Sequence, residues 1–152
     1  MVDLSRGLKE ENAMYAELVR ELSSHNSRAV VQPPASPEEI RRAEKAVGYP
    51  FPGELKALLS EMNGDKWLLF SAGEIIQIAE LNREYLLECC EDIDRYIFFA
   101  GNGCGDYYGY RVDRDGIADG EGIYLWEHEI NESRLVASDI AELITRYYHD
   151  EI

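Results

Sequence analysis

The chain has 152 residues, with 30 acidic against 15 basic side chains for a formal charge of −15, 45% apolar residues and 11% aromatic ones. That length and apolar content specify one domain with a full core, and the aromatic content excludes a disordered acidic tail. So acidic a balance excludes direct binding to nucleic-acid phosphates and docking on anionic membranes, leaving an enzyme or a binder of something basic.

In chain order, residues 4–22 carry Leu4, Leu8, Tyr15, Leu18 and Leu22 at three-and-four spacing and predict an amphipathic helix. Pro33-Pro34 then forces an extended connection, dividing an N-terminal helix and linker (1–35) from a main domain (36–152). Ser36-Pro37-Glu38-Glu39 is a helix start, with Ser36 as N-cap, Pro37 in the first turn and Glu39 closing a capping box. That helix presents Ile40, Ala43 and Val47 to the core and stops near Gly48. A second helix is predicted from Gly53 to Met62, with Asn63-Gly64 as a left-handed stop. Trp67–Phe70 reads as a short buried strand, and Glu74–Cys90 as helix broken near Asn82.

Beyond residue 95 the period changes. Tyr96–Ala100, Asp106–Val112 and Ile123–Glu129 read as three antiparallel strands joined by Gly-, Asn- and Asp-rich turns. Ser138 is the expected cap of a last helix bearing Ile140, Leu143, Ile144 and Tyr147. Helices, a meander and a final helix predict an α+β fold, an antiparallel sheet with helices packed on one side and an extra N-terminal helix. Alternation places Tyr108, Tyr110 and Val112 on one face of their strand and Tyr107 and Arg111 on the other; Ile123, Leu125 and Glu127 likewise oppose Tyr124, Trp126 and His128.

The charge is uneven. Residues 1–73 hold 11 acids and 9 bases, whereas residues 74–152 hold 19 acids and 6 bases. Such a field keeps a protein soluble, and it also speeds encounter with a cationic partner. The N-terminus lacks a signal-peptide pattern and no apolar run approaches a membrane span, so a cytoplasmic location without membrane contact is expected. Three cysteines, Cys89, Cys90 and Cys104, with no CxxC pair, are thiol usage for a reducing compartment.

Catalytic patterns are weak. Cys104 with His128 would form a nucleophile and base, but the glycines around Cys104 are better explained as turn positions. Asp113, Asp115 and Asp119 fall short of a calcium loop, because position 117 is Ile and Gly116 comes too early. Gly101-x-Gly103 lacks the third glycine of a dinucleotide fingerprint, and the histidines have no metal-ligand spacing.

Several blocks together carry a resemblance. SPEEIRRAEKAVGYPFPGELKALLSEMNG supplies Ile40, Glu44, Pro52, Leu55, Leu59, Asn63 and Gly64; WLLFSAGEI supplies Leu69, Ser71, Glu74 and Ile75. YIFFAGNGCGDYYGYRVD supplies Gly105, Asp106, Tyr108 and Tyr110, and IYLWEHE supplies Trp126 and His128. In this order and spacing they resemble the SUKH superfamily of immunity proteins, in its Smi/Knr-type branch, from Ser36 to the last helix. The resemblance implies an α+β domain with no cofactor, no metal and no catalysis, which neutralises the toxic C-terminal domain of a cognate polymorphic toxin, often a nuclease. The alternative is a regulatory interaction module not tied to a toxin. A nuclease domain is basic, so an acidic inhibitor fits it. The expected partner-binding residues are Asp106, Tyr107, Asp113, Asp115, Asp119, Glu121, Trp126, Glu127 and Glu129, with acids pairing to Lys or Arg and rings anchoring. Gly101, Gly103 and Gly105 are expected to be structural. For the N-terminal helix, packing on its own domain and mediating a homodimer both stand open.

Overall fold

The computed structural model describes residues 14–152. Leu4 and Leu8 of the first predicted helix lie outside the described residues. The described part of that helix is α1 (Met14–Leu22), which buries Tyr15, Ala16 and Val19 in the same core as the rest of the chain. Glu61 accepts the Tyr15 N–H at 2.8 Å, tying α1 to the body.

The Pro33-Pro34 connection is extended, as expected, and it is stitched along its length to the body. Val30 and Gln32 donate to the carbonyls of Asp65 and Gly64, Pro33 accepts from Asn63, and Ala35 donates to Leu59. Helix α2 (Pro37–Val47) starts in the predicted capping box, with Ser36 and Glu39 exchanging hydrogen bonds at 3.0 and 3.1 Å, and ends at Gly48 with φ 93°. Helix α3 (Gly53–Glu61) ends one residue early in an extended Met62. Gly64 does adopt φ 83°, and it is needed for a second reason: a Cβ there would stand 2.6 Å from the Ser71 nitrogen.

Trp67–Phe70 does not form a strand. Its neighbour Asp65 is fully buried, and one carboxylate oxygen accepts the N–H groups of Trp67, Leu68 and Leu69 at 2.9, 2.8 and 2.9 Å. Donors that a ladder would use are thus drawn inward, leaving a single bridge from Leu69 to Ala100. Asp65→Ala would orphan three N–H groups at once and should lower the unfolding free energy by about 2 kcal/mol. The readout is an earlier urea midpoint at unchanged slope; an unmoved midpoint would show that water replaces the carboxylate.

Helix α4 (Ala72–Tyr85) begins two residues before the predicted start, because Ser71 and Glu74 form another capping box. It runs unbroken through Asn82, which is buried, and Arg83 donates to the carbonyls of Ala46 and Val47 at the end of α2. A 3-10 turn (Ile93–Arg95) leads into the sheet.

The sheet is a four-stranded antiparallel meander in chain order: β1 (Tyr96–Gly101), β2 (Tyr107–Arg111), β3 (Ile123–Glu127) and β4 (Glu132–Ala137). Strand β4 is absent from the sequence reading, and β3 stops before His128 and Glu129, which lie in the β3–β4 turn. Helix α5 (Ile140–Tyr148) is capped by Asp139 rather than Ser138: the Asp139 carboxylate accepts the Glu142 N–H at 2.8 Å, while the Ser138 hydroxyl donates to the Glu142 side chain.

The predicted faces are present. Tyr108, Tyr110, Ile123 and Leu125 lie in the main core with Leu55, Leu58, Leu59, Leu143 and Ile144 of the helices. Each such large side chain contributes roughly 2 kcal/mol of burial.

Candidate functional site

The opposite face of the sheet carries a row of rings. Tyr96 stacks on Phe98 with centroids 4.8 Å apart, Phe98 meets Tyr107 at 5.2 Å, and Tyr107 stacks on Trp126 at 5.9 Å. Leu86, Cys90 and Ile93, from the chain between α4 and β1, pack against this row. Trp126 is therefore only 2% exposed, and its indole N–H donates to Asn131 at 2.9 Å. Tyr107 is half-buried. The Arg111 guanidinium lies 5.9 Å from the Tyr96 ring and 5.7 Å from the Tyr124 ring, within cation–π range of both. Tyr124 donates to Asp119 at 2.9 Å; burial, aided by that carboxylate, pushes its phenol up to about 12.

The meander topology separates the nine expected partner-binding residues into two groups. Asp106, Tyr107, Trp126, Glu127 and Glu129 cluster where the β1–β2 and β3–β4 turns meet; Asp113, Asp115, Asp119 and Glu121 occupy the β2–β3 loop at the other end. Five-residue strands hold the two ends about 17 Å apart, a span that one partner of standard interface size covers.

At the first end, Asp106 is a local organiser. One oxygen accepts from the backbone N–H of His128 at 3.0 Å and lies 2.7 Å from its ring Nδ1; the other accepts from the Asn102 amide at 3.0 Å. Gly105, with φ 95°, leaves room for that ring, since a Cβ would come within 3.0 Å of it. Burial pulls the Asp106 carboxyl up, but the His128 backbone, its ring and Asn102 outweigh this and hold it below the usual carboxylate range. A depressed folded value stabilises above the unfolded one and is lost as pH falls through it. Between about pH 5 and about pH 2.5 the wild type should therefore lose more stability than Asp106→Asn; parallel urea midpoints across that range would refute the linkage. Glu127 pairs with Arg134 at 3.1 Å, and Glu129 is exposed. Cys104 is exposed; its N–H donates to Asn102, and among the described residues no hydrogen bond joins it to His128.

In the β2–β3 loop the acids divide by task. One Asp113 oxygen accepts the N–H groups of Asp115 and Ile117, and one Asp119 oxygen accepts that of Glu121, so these two shape the loop. Asp115 and Glu121 are exposed and have no side-chain partner among the described residues.

Beside this loop, a cleft of about 440 Å³ opens between it and the Pro50–Glu54 segment, a feature that sequence reasoning missed. Glu54 lies in its lining, accepting from the Tyr110 hydroxyl, and Ile117 stands beside it 55% exposed. The available signal was Ile117 itself: the residue that breaks the calcium pattern is an apolar side chain in an otherwise polar turn.

Among the described residues, no three His, Cys, Asp or Glu side chains come together as a metal site, and no helix is long and apolar enough to cross a membrane. The features define a helix-backed α+β domain whose exposed chemistry is carboxylate with flanking aromatic and apolar groups. The chain belongs to the SMI1 / KNR4 family (SUKH-1), which its residues 34–146 match. Membership is typical of immunity proteins of polymorphic toxins, which are generally non-enzymatic. No curated protein matches the sequence.

Proposed function

We propose that this protein is a cytoplasmic immunity protein that binds and neutralises the C-terminal toxic domain, a nuclease, of a cognate polymorphic toxin. The observation that carries the reading is the placement of free acids: Asp115 and Glu121 project from a loop whose own geometry is held by Asp113 and Asp119. An ordered loop presenting unpaired carboxylates suits a basic protein surface, because the acids need little ordering on binding. At the other end of the sheet, Glu129 is exposed and Tyr107 half-buried. Trp126, stacked on Tyr107 and only 2% exposed, backs that ring rather than meeting a partner directly.

Family membership supports the toxin as partner, and the concentration of acids after residue 73 supports a basic one. Co-expression tests this: the protein should restore growth to cells producing the toxin domain encoded beside its gene. Failure to rescue by well-expressed, folded protein would overturn it. Rescue without a stable complex would overturn neutralisation by binding.

A further inference from the structure

The cleft between the β2–β3 loop and the segment joining α2 to α3 has a composition that the general acidity does not explain. Its volume of about 440 Å³ falls in the range of small-ligand sites, roughly 300–1,000 Å³. Its walls are apolar and preformed: Phe51, Pro50 and Pro52 on one side, Ile117 and Ala118 on the other. The two prolines and the hydrogen bond from the Phe51 N–H to Glu44, at 2.7 Å, fix the first wall. The second wall belongs to the loop ordered by Asp113 and Asp119.

Into this apolar setting comes one carboxylate. Glu54, in the first turn of α3, accepts from the Tyr110 hydroxyl on one oxygen. Its other oxygen has only a long contact, 3.4 Å, from the Ile140 N–H at the start of α5. Among the described residues no basic side chain pairs with Glu54, whereas the nearby Glu44 is paired with Lys56 at 3.3 Å. The second oxygen therefore keeps acceptor capacity. A half-buried carboxylate with spare lone pairs between apolar walls suits a ligand with an apolar stem and a cationic tip.

We propose that this cleft receives an arginine side chain of the basic partner, with its stem between Phe51, Pro52 and Ile117 and its guanidinium on Glu54. Arginine fits better than lysine because its flat, weakly hydrated head lies against apolar walls at less desolvation cost. Ile117, exposed and apolar at the rim, would be covered by the same contact, as expected of an interface anchor. The acids of the adjoining loop attract the cation and the cleft selects it. The origin of the arginine rests on the basic-partner reading above, but the cleft's chemistry can be tested without the partner.

The test titrates 15N-labelled protein with N-acetyl-arginine amide, with its neutral isostere N-acetyl-citrulline amide and with N-acetyl-leucine amide. Arginine amide should shift the amide resonances of Gly53, Gly120, Gly122 and Ser138, and the other two should bind at least tenfold more weakly. Glu54→Gln keeps an acceptor for Tyr110 and removes the charge; it should weaken arginine amide at least tenfold with the remaining spectrum unchanged. Ile117→Ser, at the exposed rim, should weaken it severalfold without touching Glu54. Equal binding of citrulline amide, no saturable shift with arginine amide, or full binding by folded Glu54→Gln would overturn the proposal. A cleft that binds arginine in a protein that fails to rescue cells would overturn the toxin reading alone. Rescue undiminished by Ile117→Ser together with no arginine binding would overturn the cleft alone.

Discussion

Gly109→Ala should be strongly destabilising, although it adds a single methyl. Gly109 sits in the middle of β2, between Phe98 of β1 and Tyr124 of β3. A Cβ there would stand 2.3 Å from the Ile97 carbonyl oxygen and 2.8 Å from the Phe98 Cα, both backbone atoms. No rotamer change relieves such a contact; β1 itself must move. That strand is fully buried and breaks register between Phe98 and Ala100, so moving it disturbs both the main core and the ring row beyond it. The unfolding free energy should fall by about 3 kcal/mol or more, which for a domain of this size lowers the melting temperature by about 6–12 °C. Gly53→Ala is the control: it lies at the start of α3, its Cβ would meet nothing within 4 Å, and alanine favours the helix. A melting temperature for Gly109→Ala within a degree of that control would show that β1 and β2 separate freely.

The same position shows what the sequence carries and what it withholds. Alternation along β2 and β3 was legible from its period, which puts Tyr108 with Tyr110 and Ile123 with Leu125, whereas the face that turns inward is set by packing against the helices. The caps at Ser36 and Gly48 were legible because their signals are local. Gly109 looks like a weak spot in a strand until the neighbouring backbone is known. Strand β4 was not legible for a related reason: Glu132–Ala137 has exposed Arg134 and Leu135 side by side and only Val136 and Ala137 buried, so its period is lost. Trp67–Phe70 misled because a buried carboxylate, not a neighbouring strand, takes its N–H groups. In the candidate site the residue types were legible and their grouping was not. Topology sends Asp106 to one end of the sheet and Asp113 to the other, and a ring cluster submerges Trp126. The cleft at Glu54 joins residues 54, 110 and 117, whose proximity no local pattern encodes.

On the proposed function, the double charge reversal Asp115→Lys, Glu121→Lys should slow association with the toxin domain by tenfold or more at low salt. The reversal changes the net charge by four, from −15 to −11. Its effect should exceed that share because both sites are exposed and stand together on one loop. Screening decides whether the effect is electrostatic: the Debye length is about 10 Å at 0.1 M salt and about 3 Å at 1 M, so the deficit should nearly vanish at the higher salt. Dissociation should change little, because rim charges act mainly on encounter. Asp113→Ala separates charge from shape. It removes a single charge but also the oxygen that accepts the N–H groups of Asp115 and Ile117, so the loop loses its form and Ile117 its position beside the cleft. That variant should raise the dissociation rate at every salt concentration, where the double reversal should not. If the double reversal leaves the low-salt association rate unchanged, the β2–β3 loop lies outside the interface, and the turn cluster at Asp106 and Glu129 becomes the surface to reverse next.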